Sequence, residues 1–333
     1  MRKFVRENEF LVGVLTALVL AVLWADGGRD GGVLRGDILS DAAVVTIFFL
    51  QGVSLATESL WKGLLKWRVH VFVQLTIFGA IPLIMWGIMA LVGDFFSESL
   101  RLGFLYLSIL PCTISSAVVY THRMGGDASV ALFNVTVANI AGVFIVPVWM
   151  TYVMRQGGLH VPLGPLLAHI ALTLLLPLFV GQLLRRTLLR HANAARWPVG
   201  RINTSLVFVI LYFSFCNAVH ERFWESVTFW EMALAVVLAG GYYLLATCIA
   251  IGGGKLLKLP HTDAVAAAFC GSHKTTAAGV PMAKAIFGSA AGVHLGLALL
   301  PLLIYAPVQL SLGGIAISRR ERQLRAEGKL PPA

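Results

Sequence analysis

The sequence predicts an all-α polytopic membrane protein of ten transmembrane helices, arranged as two inverted five-helix repeats. Three observations predict it. Of the 333 residues, 58% are hydrophobic and only 13% are charged, against roughly 25% charged in a soluble domain. A soluble fold of this composition could not cover its surface with polar groups, so the bilayer has to be its solvent. The apolar residues gather into long runs, and the basic residues between the runs fall mostly on one side.

Crossing the hydrocarbon core takes about 20 mainly apolar helical residues. Runs near 9–25, 41–57, 69–93, 100–122, 128–153, 163–184, 202–219, 231–254, 263–287 and 291–317 fit that requirement. The opening MRKFVRENEF followed by LVGVLTALVLAVLW has the look of a secretory signal. No small-x-small cleavage site precedes a soluble domain, however, and further apolar runs follow, so it is read as the first span. The second run is short, and the fourth and ninth are interrupted.

Cytoplasmic loops carry an excess of lysine and arginine. With the N-terminus inside, the inner segments hold 19 of the 26 basic residues, densest in LLRRTLLRHANAARWPVGR between spans six and seven. The outer segments hold six (Arg29, Arg35, Arg101, Arg155, Arg222 and Lys284), and Lys274 lies within span nine. The bias predicts an even number of spans in a cell inner membrane, both termini cytoplasmic, and a basic cytoplasmic tail at 318–333. It also accounts for the net charge of +10 without a nucleic-acid partner, since such clusters face anionic membrane lipid. Five spans per half require a duplicated half to lie upside down. Cys112, Cys216, Cys248 and Cys270 form no CxxC pair and no metal-ligand spacing, which speaks against a structural disulfide or zinc site.

The two interruptions carry the chemistry. Span four contains PCTISS at 111–116, and span nine contains GSHKTT at 271–276. A helix opened inside the membrane offers carbonyls that suit a cation and N–H groups that suit an anion. Pro111 removes a donor, and Thr113, Ser115 and Ser116 add hydroxyls beside it. The alternative is a proline kink with the serines bonded back to their own helix. In span nine, Ser272, His273, Lys274, Thr275 and Thr276 stand together. A lysine near mid-bilayer costs about 2.5–3.5 kcal/mol on insertion scales, so it pairs, lines a cavity or exchanges its proton. The alternative is a solvated loop between two short helices. Lys274→Ala is expected to leave folding intact, because it removes a costly charge rather than a packing group.

Span five adds Asn134, Thr136 and Asn139, and span three adds Gln74 and Thr76. These are candidate ligands or simple interhelical hydrogen bonds. Gly240, Gly241 and Gly252–Gly254 are expected to permit close helix packing, His169 and His294 to be satisfied packing residues, and Asp127 and Asp263 to cap helices. No paired carboxylates, HExxH or nucleophile–base motif occurs in the spans, which argues against an enzyme.

LPCTISSAVVYTHRMGGDASVALFNVTVANIAG, followed in the second half by CGSHKTTAAGVPMAKAIFG, resembles the bile acid:sodium symporter superfamily, in particular its SBF-like branch. The resemblance covers nearly the whole chain. It implies a single transporter unit with a panel domain from spans 1, 2, 6 and 7 (about 9–57 and 163–219). The core domain would come from spans 3–5 and 8–10 (about 69–153 and 231–317), with broken spans four and nine crossing at mid-membrane. Carried over by motif, Ser115, Ser116 and Asn134 are possible sodium ligands. Two departures stand out. Where the family's bile-acid symporters carry a glutamate and then a glutamine in span nine, this chain has Cys270 and Lys274. Bile acid as substrate therefore does not transfer. What remains is a secondary active, symporter-like carrier of a small organic anion, coupled to sodium or protons, with Lys274 standing in for a cation. The branch also includes a vertebrate carrier linked to calcium regulation, so a membrane regulator of calcium influx is the alternative.

The topology is testable in a cysteine-free variant. Cysteines placed at Ala192 and Leu330 should resist an impermeant maleimide added to intact cells and react once the membrane is opened. Labelling of either from the periplasmic side would overturn the orientation.

Overall fold

The computed structural model describes residues 9–54, 66–156, 163–194, 199–222, 225, 227–288 and 292–326, and every regular element among them is helical. The chain begins with α1 (Glu9–Leu23), a short α2 (Ala25–Gly28) and α3 (Gly36–Ser54). Next come α4 (Trp67–Leu75), α5 (Ile81–Val92), α6 (Glu98–Ile109), α7 (Ile114–Arg123) and α8 (Ala128–Gln156). The second half holds α9 (Leu163–Ile170), α10 (Leu176–Ala194), α11 (Val199–His220), α12 (Phe229–Leu256), α13 (His261–Ser272), α14 (Thr276–Phe287) and α15 (Leu295–Ala326).

Seven helices among the described residues are long and apolar enough to cross a membrane, and they coincide with expected spans two, three, five, six, seven, eight and ten. The stretch expected as span one holds α1, a shorter apolar helix of 15 residues. The stretches expected as spans four and nine hold the shorter pairs α6–α7 and α13–α14. The second span starts at Gly36, before the expected residue 41, because the polar GDILSD stretch is already helical. The sixth runs on to Ala194, so Arg185, Arg186 and Arg190 ride on a helix rather than in a loop. The tail expected from 318 continues α15 as far as Ala326. The charges at 1–8, 62, 196 and 327–333 lie outside the described residues.

Two spans carry a π-helical turn, Thr76–Ala80 between α4 and α5 and Ala171–Leu175 between α9 and α10. In each case a proline, Pro82 or Pro177, follows two residues after the turn. Proline lacks the N–H its helix would use and crowds the carbonyl four residues back. A wider turn upstream accommodates both effects without ending the span.

Hydrogen bonds sort the helix ends into two layers. At one end, Lys66 before α4 reaches Asp127 before α8 at 2.9 Å and Asp263 in α13 at 2.7 Å. At the other, Glu231 closes a capping box with Thr228 at the start of α12 and also accepts the N–H of Ser97 ahead of α6. Asp127 caps α8 as expected, through Ser129 and Val130. Asp263 instead lies in the first turn of α13, whose N-cap is Pro260, and it serves Lys66.

Small residues set the closest approach. A Cβ on Gly52 of α3 would lie 2.1 Å from the Leu178 carbonyl oxygen, and one on Gly181 of α10 would lie 2.1 Å from that of Phe49. Reciprocal backbone contact of this kind admits only glycine. The span-eight glycines behave differently from expectation. Gly240, Gly241 and Gly252 have nothing within 4 Å of an added Cβ, whereas Gly253 packs under the Phe72 ring. The bilayer provides no hydrophobic force between helices, so small residues matter only where two backbones converge.

The Lys66 tie has a pH signature. The hydrogen bond from Lys66 holds the Asp127 carboxyl below its ordinary value, and the hydrogen bond to Asp263 raises the Lys66 ammonium above its own. A depressed carboxyl contributes fully above its unfolded pKa of about 4 and fades as pH falls through its lower folded value. A raised ammonium contributes fully below about 10.4 and fades as pH rises through its higher folded value. Because Lys66 is half-exposed, water screens the tie to about 1–2 kcal/mol. Lys66→Met should therefore lower the melting temperature by a constant amount from weakly acidic to weakly alkaline pH. The difference from wild type should shrink below the carboxylate range.

Candidate functional site

The two breaks meet. Residues 110–113 and 273–275 run extended between their half-helices, and the Thr275 N–H donates to the Pro111 carbonyl at 3.0 Å where they cross. The break in span four follows from Pro111. The break in span nine has no proline at its start, and its freed backbone groups are met by side chains.

Lys274 is the centre of that arrangement. It is 1% exposed, so the solvated-loop alternative is excluded. Its Nζ donates to the carbonyls of Ser108 and Leu110, both at 2.8 Å, at the C-terminal end of α6. An ammonium thus sits where an opened helix presents its negative pole. The Lys274 backbone is held by Gln309 of α15, whose Oε1 accepts from the Lys274 N–H at 2.7 Å while its Nε2 donates to the Lys274 carbonyl at 3.0 Å. Tyr305 donates to the Ser272 carbonyl, and Tyr106 to that of Gly279 at 2.5 Å. Lys274 is therefore a structural tie as well as a charge. The expectation that Lys274→Ala leaves folding untouched loses its basis, because alanine would leave the buried Leu110 carbonyl without its donor and the Ser108 carbonyl with only the Tyr242 hydroxyl at 3.4 Å.

The other candidate residues divide. Asn139 donates to the Cys112 carbonyl at 2.9 Å, which makes it part of the crossing. Close approach of α8 is needed there, and a Cβ on Gly142 would stand 3.0 Å from the Pro111 ring. Thr136 and Thr76 bond back to their own helices, at Leu132 and Phe72. Asn134 belongs to a separate buried cluster, with His70 Nδ1 3.0 Å from its Nδ2 and with Gln74 donating to its Oδ1 at 3.3 Å. Ser272 bonds back to Ala268. The His273 ring lies among Tyr120, Tyr243 and Phe269, and its buried Nε2 has no partner among the described residues. The side chain of Ser115 lies outside the described residues.

Thr113, Ser116, Lys274, Thr275 and Thr276 line one cavity of about 440 Å³, and Asn134 does not. The N-termini of α7 and α14 both open on it. Its far wall comes from α1 and α11, through Phe10, Arg201, Thr204 and Phe208. The buried Ser116 hydroxyl has no protein partner among the described residues. At the opposite end the same helix groups touch, for a Cβ on Gly296 of α15 would come within 2.8 Å of Ala218 in α11.

Sequence reasoning missed Gln309, Tyr305 and Arg201. A signal existed for Gln309, the single amide in the apolar run LLIYAPVQLSL between Pro301 and Gly313. Tyr305 and Arg201 carry none, since one reads as a span aromatic and the other as a loop charge.

Comparison with known proteins agrees with the geometry. Residues 8–322 match the model of the SBF-like CPA transporter family. "Sodium/bile acid cotransporter 7" of Rattus norvegicus is 30% identical over 317 residues, covering 94% of this chain and 92% of that one. "Putative symporter YfeH" of Escherichia coli is 27% identical over 331 residues, covering 97% and 96%.

Removing the Gln309 amide should expose the cost of the open backbone. Gln309→Leu leaves a buried N–H and a buried C=O unpaired, at about 1–3 kcal/mol each. Its melting temperature in detergent should fall well below that of a control such as Leu310→Ala. An unchanged melting temperature would mean that the crossing does not depend on this amide.

Proposed function

The chain belongs to the SBF-like CPA transporter family, and on that premise we propose that it is a secondary active transporter carrying a small organic anion by alternating access. The observation that carries the reading is the shared cavity. Two half-helix N-termini, Lys274 and Arg201 converge on one space between helix groups, and N–H ends with positive side chains favour an anion. The helices α1, α2, α3, α9, α10 and α11 form the panel and the remainder the core. The open cavity at the Arg201 end, with Gly296 against Ala218 at the other, supports a state open to the cytoplasm under the charge-bias topology.

In this reading the Lys274 ammonium holds the position of a coupling cation, and transport follows pH more than sodium. Sodium coupling is the second reading, favoured by the names of relatives such as the cotransporter of Rattus norvegicus. It draws on the Ser116 hydroxyl at the cavity, without Asn134, which stands in the cluster with His70 and Gln74.

The substrate is found first, by thermal stabilisation of the purified protein across a panel of organic anions with and without sodium. Uptake of the best ligand into proteoliposomes is then followed across a pH series in sodium or potassium. Lys274→Gln is the variant of choice, because its amide still offers donors to the Ser108 and Leu110 carbonyls. Uptake should fall by about 30-fold or more, since truncating one partner of a buried charge pair costs about 2–5 kcal/mol. Strong sodium dependence in the wild type, with full activity in Lys274→Gln, would overturn the role given to the lysine. No uptake of any stabilising anion would favour a regulator of calcium influx over a carrier.

A further inference from the structure

At the end of the bundle away from the crossing cavity lies a smaller cavity of about 220 Å³. It sits between the loop after α2, the last turns of α11 and α14, and the start of α15. Lys284, in the last turn of α14, lines it and is 9% exposed. Among the described residues no carboxylate or carbonyl accepts a hydrogen bond from its ammonium. A lysine in a last turn complements the helix dipole, which is the plain structural reason for its position. Its N–H donors, unengaged by protein acceptors among the described residues, face the cavity and are free for a ligand there.

Arg29 lines the same cavity. Its buried Nε has no hydrogen-bond partner among the described residues, with the nearest carboxylate, Asp26, 3.6 Å away. Two carboxylates, Asp30 and Glu221, also line the cavity, and each acidic group in reach is engaged or exposed. Glu221 stands 2.6 Å from the His294 ring, and Asp26 is shared with His220 at 3.2 Å. Asp30 is exposed, with its backbone N–H bonded to Asn217 at 2.8 Å.

The geometry points to a binding site for a short-chain carboxylate, its charged end between Lys284 and Arg29 and its alkyl end against Phe287 and Leu295. The volume sets the size, lying below the roughly 300 Å³ at which pockets for larger ligands begin. Because α11 and α14 both line it, a bound acid ties the two helix groups together at this end. The site is separate from the crossing and stands whether or not the crossing carries an anion.

Isothermal titration of the purified full chain with acetate, propionate and butyrate tests the site, with chloride and sulfate as comparators at matched ionic strength. Butyrate should bind saturably and more tightly than acetate, and should do so equally in Lys274→Gln. Its affinity should fall about tenfold or more in Lys284→Met and in Arg29→Gln. Arg29 is 42% exposed at its side chain, so Arg29→Gln remains a usable protein if Lys284→Met does not fold. Unchanged affinity in Arg29→Gln, loss of binding in Lys274→Gln alone, or no saturable binding of the three acids would overturn the site. Chloride or sulfate binding as tightly as butyrate would overturn the carboxylate assignment.

Discussion

Backbone groups buried in an apolar interior have to be hydrogen-bonded within the protein, and here two apolar helices are opened in the buried middle of the fold. The described structure around the crossing meets that demand with side chains. Lys274 takes the last carbonyls of α6, Asn139 takes Cys112, Gln309 takes both backbone groups of Lys274, and Tyr305 takes Ser272. Helices α6, α8, α13 and α15 thereby converge on one point. Their polar residues are placed by the breaks, and the breaks persist because those residues are there.

The same demand bears on the proposed division into core and panel. The crossing and the Lys66 tie bind α4, α6, α8, α13, α14 and α15 to one another through directional bonds. The contact of α3 with α10 is made instead by glycines lying flat against carbonyl oxygens. Between the two proposed groups, α3 and α11 both pack on α14, Gln51 of α3 donates to the Ala277 carbonyl at 3.5 Å beside the cavity, and Gly296 approaches Ala218 at the other end. A body held by hydrogen bonds that slides past a body held by packing suits relative motion, because interface contacts of small side chains can be remade at little cost.

The span positions were largely legible in the sequence, since hydrophobic length and basic clustering are summed over many residues. Pro111 marked the break in span four, and the polar run around Lys274 marked the other. What the sequence did not reveal was who partners whom. Asn134 and Ser116 look alike as small polar residues in neighbouring spans, yet one turns to His70 and the other to the cavity. That choice depends on helix rotation, which single-chain periodicity fixes poorly in spans that are apolar on every face. The glycines of span eight illustrate the same limit: the row is obvious, and only Gly253 and Gly254 have a neighbour to approach.

A cation that is part of the chain differs electrically from one that comes and goes. In the proposed transport cycle the Lys274 ammonium, anchored to both breaks, would travel with the core. Moving one elementary charge through the full membrane potential is worth about 2.3 kcal/mol per 100 mV. With a monovalent anion aboard, the moving body is close to neutral and crosses with little regard to voltage. Returning empty, it carries the lysine's charge alone, and the field acts on that leg of the cycle. In that cycle a negative interior would hold the unloaded core at the cytoplasmic side, so that membrane potential acts beside the pH gradient on how often the site faces outside.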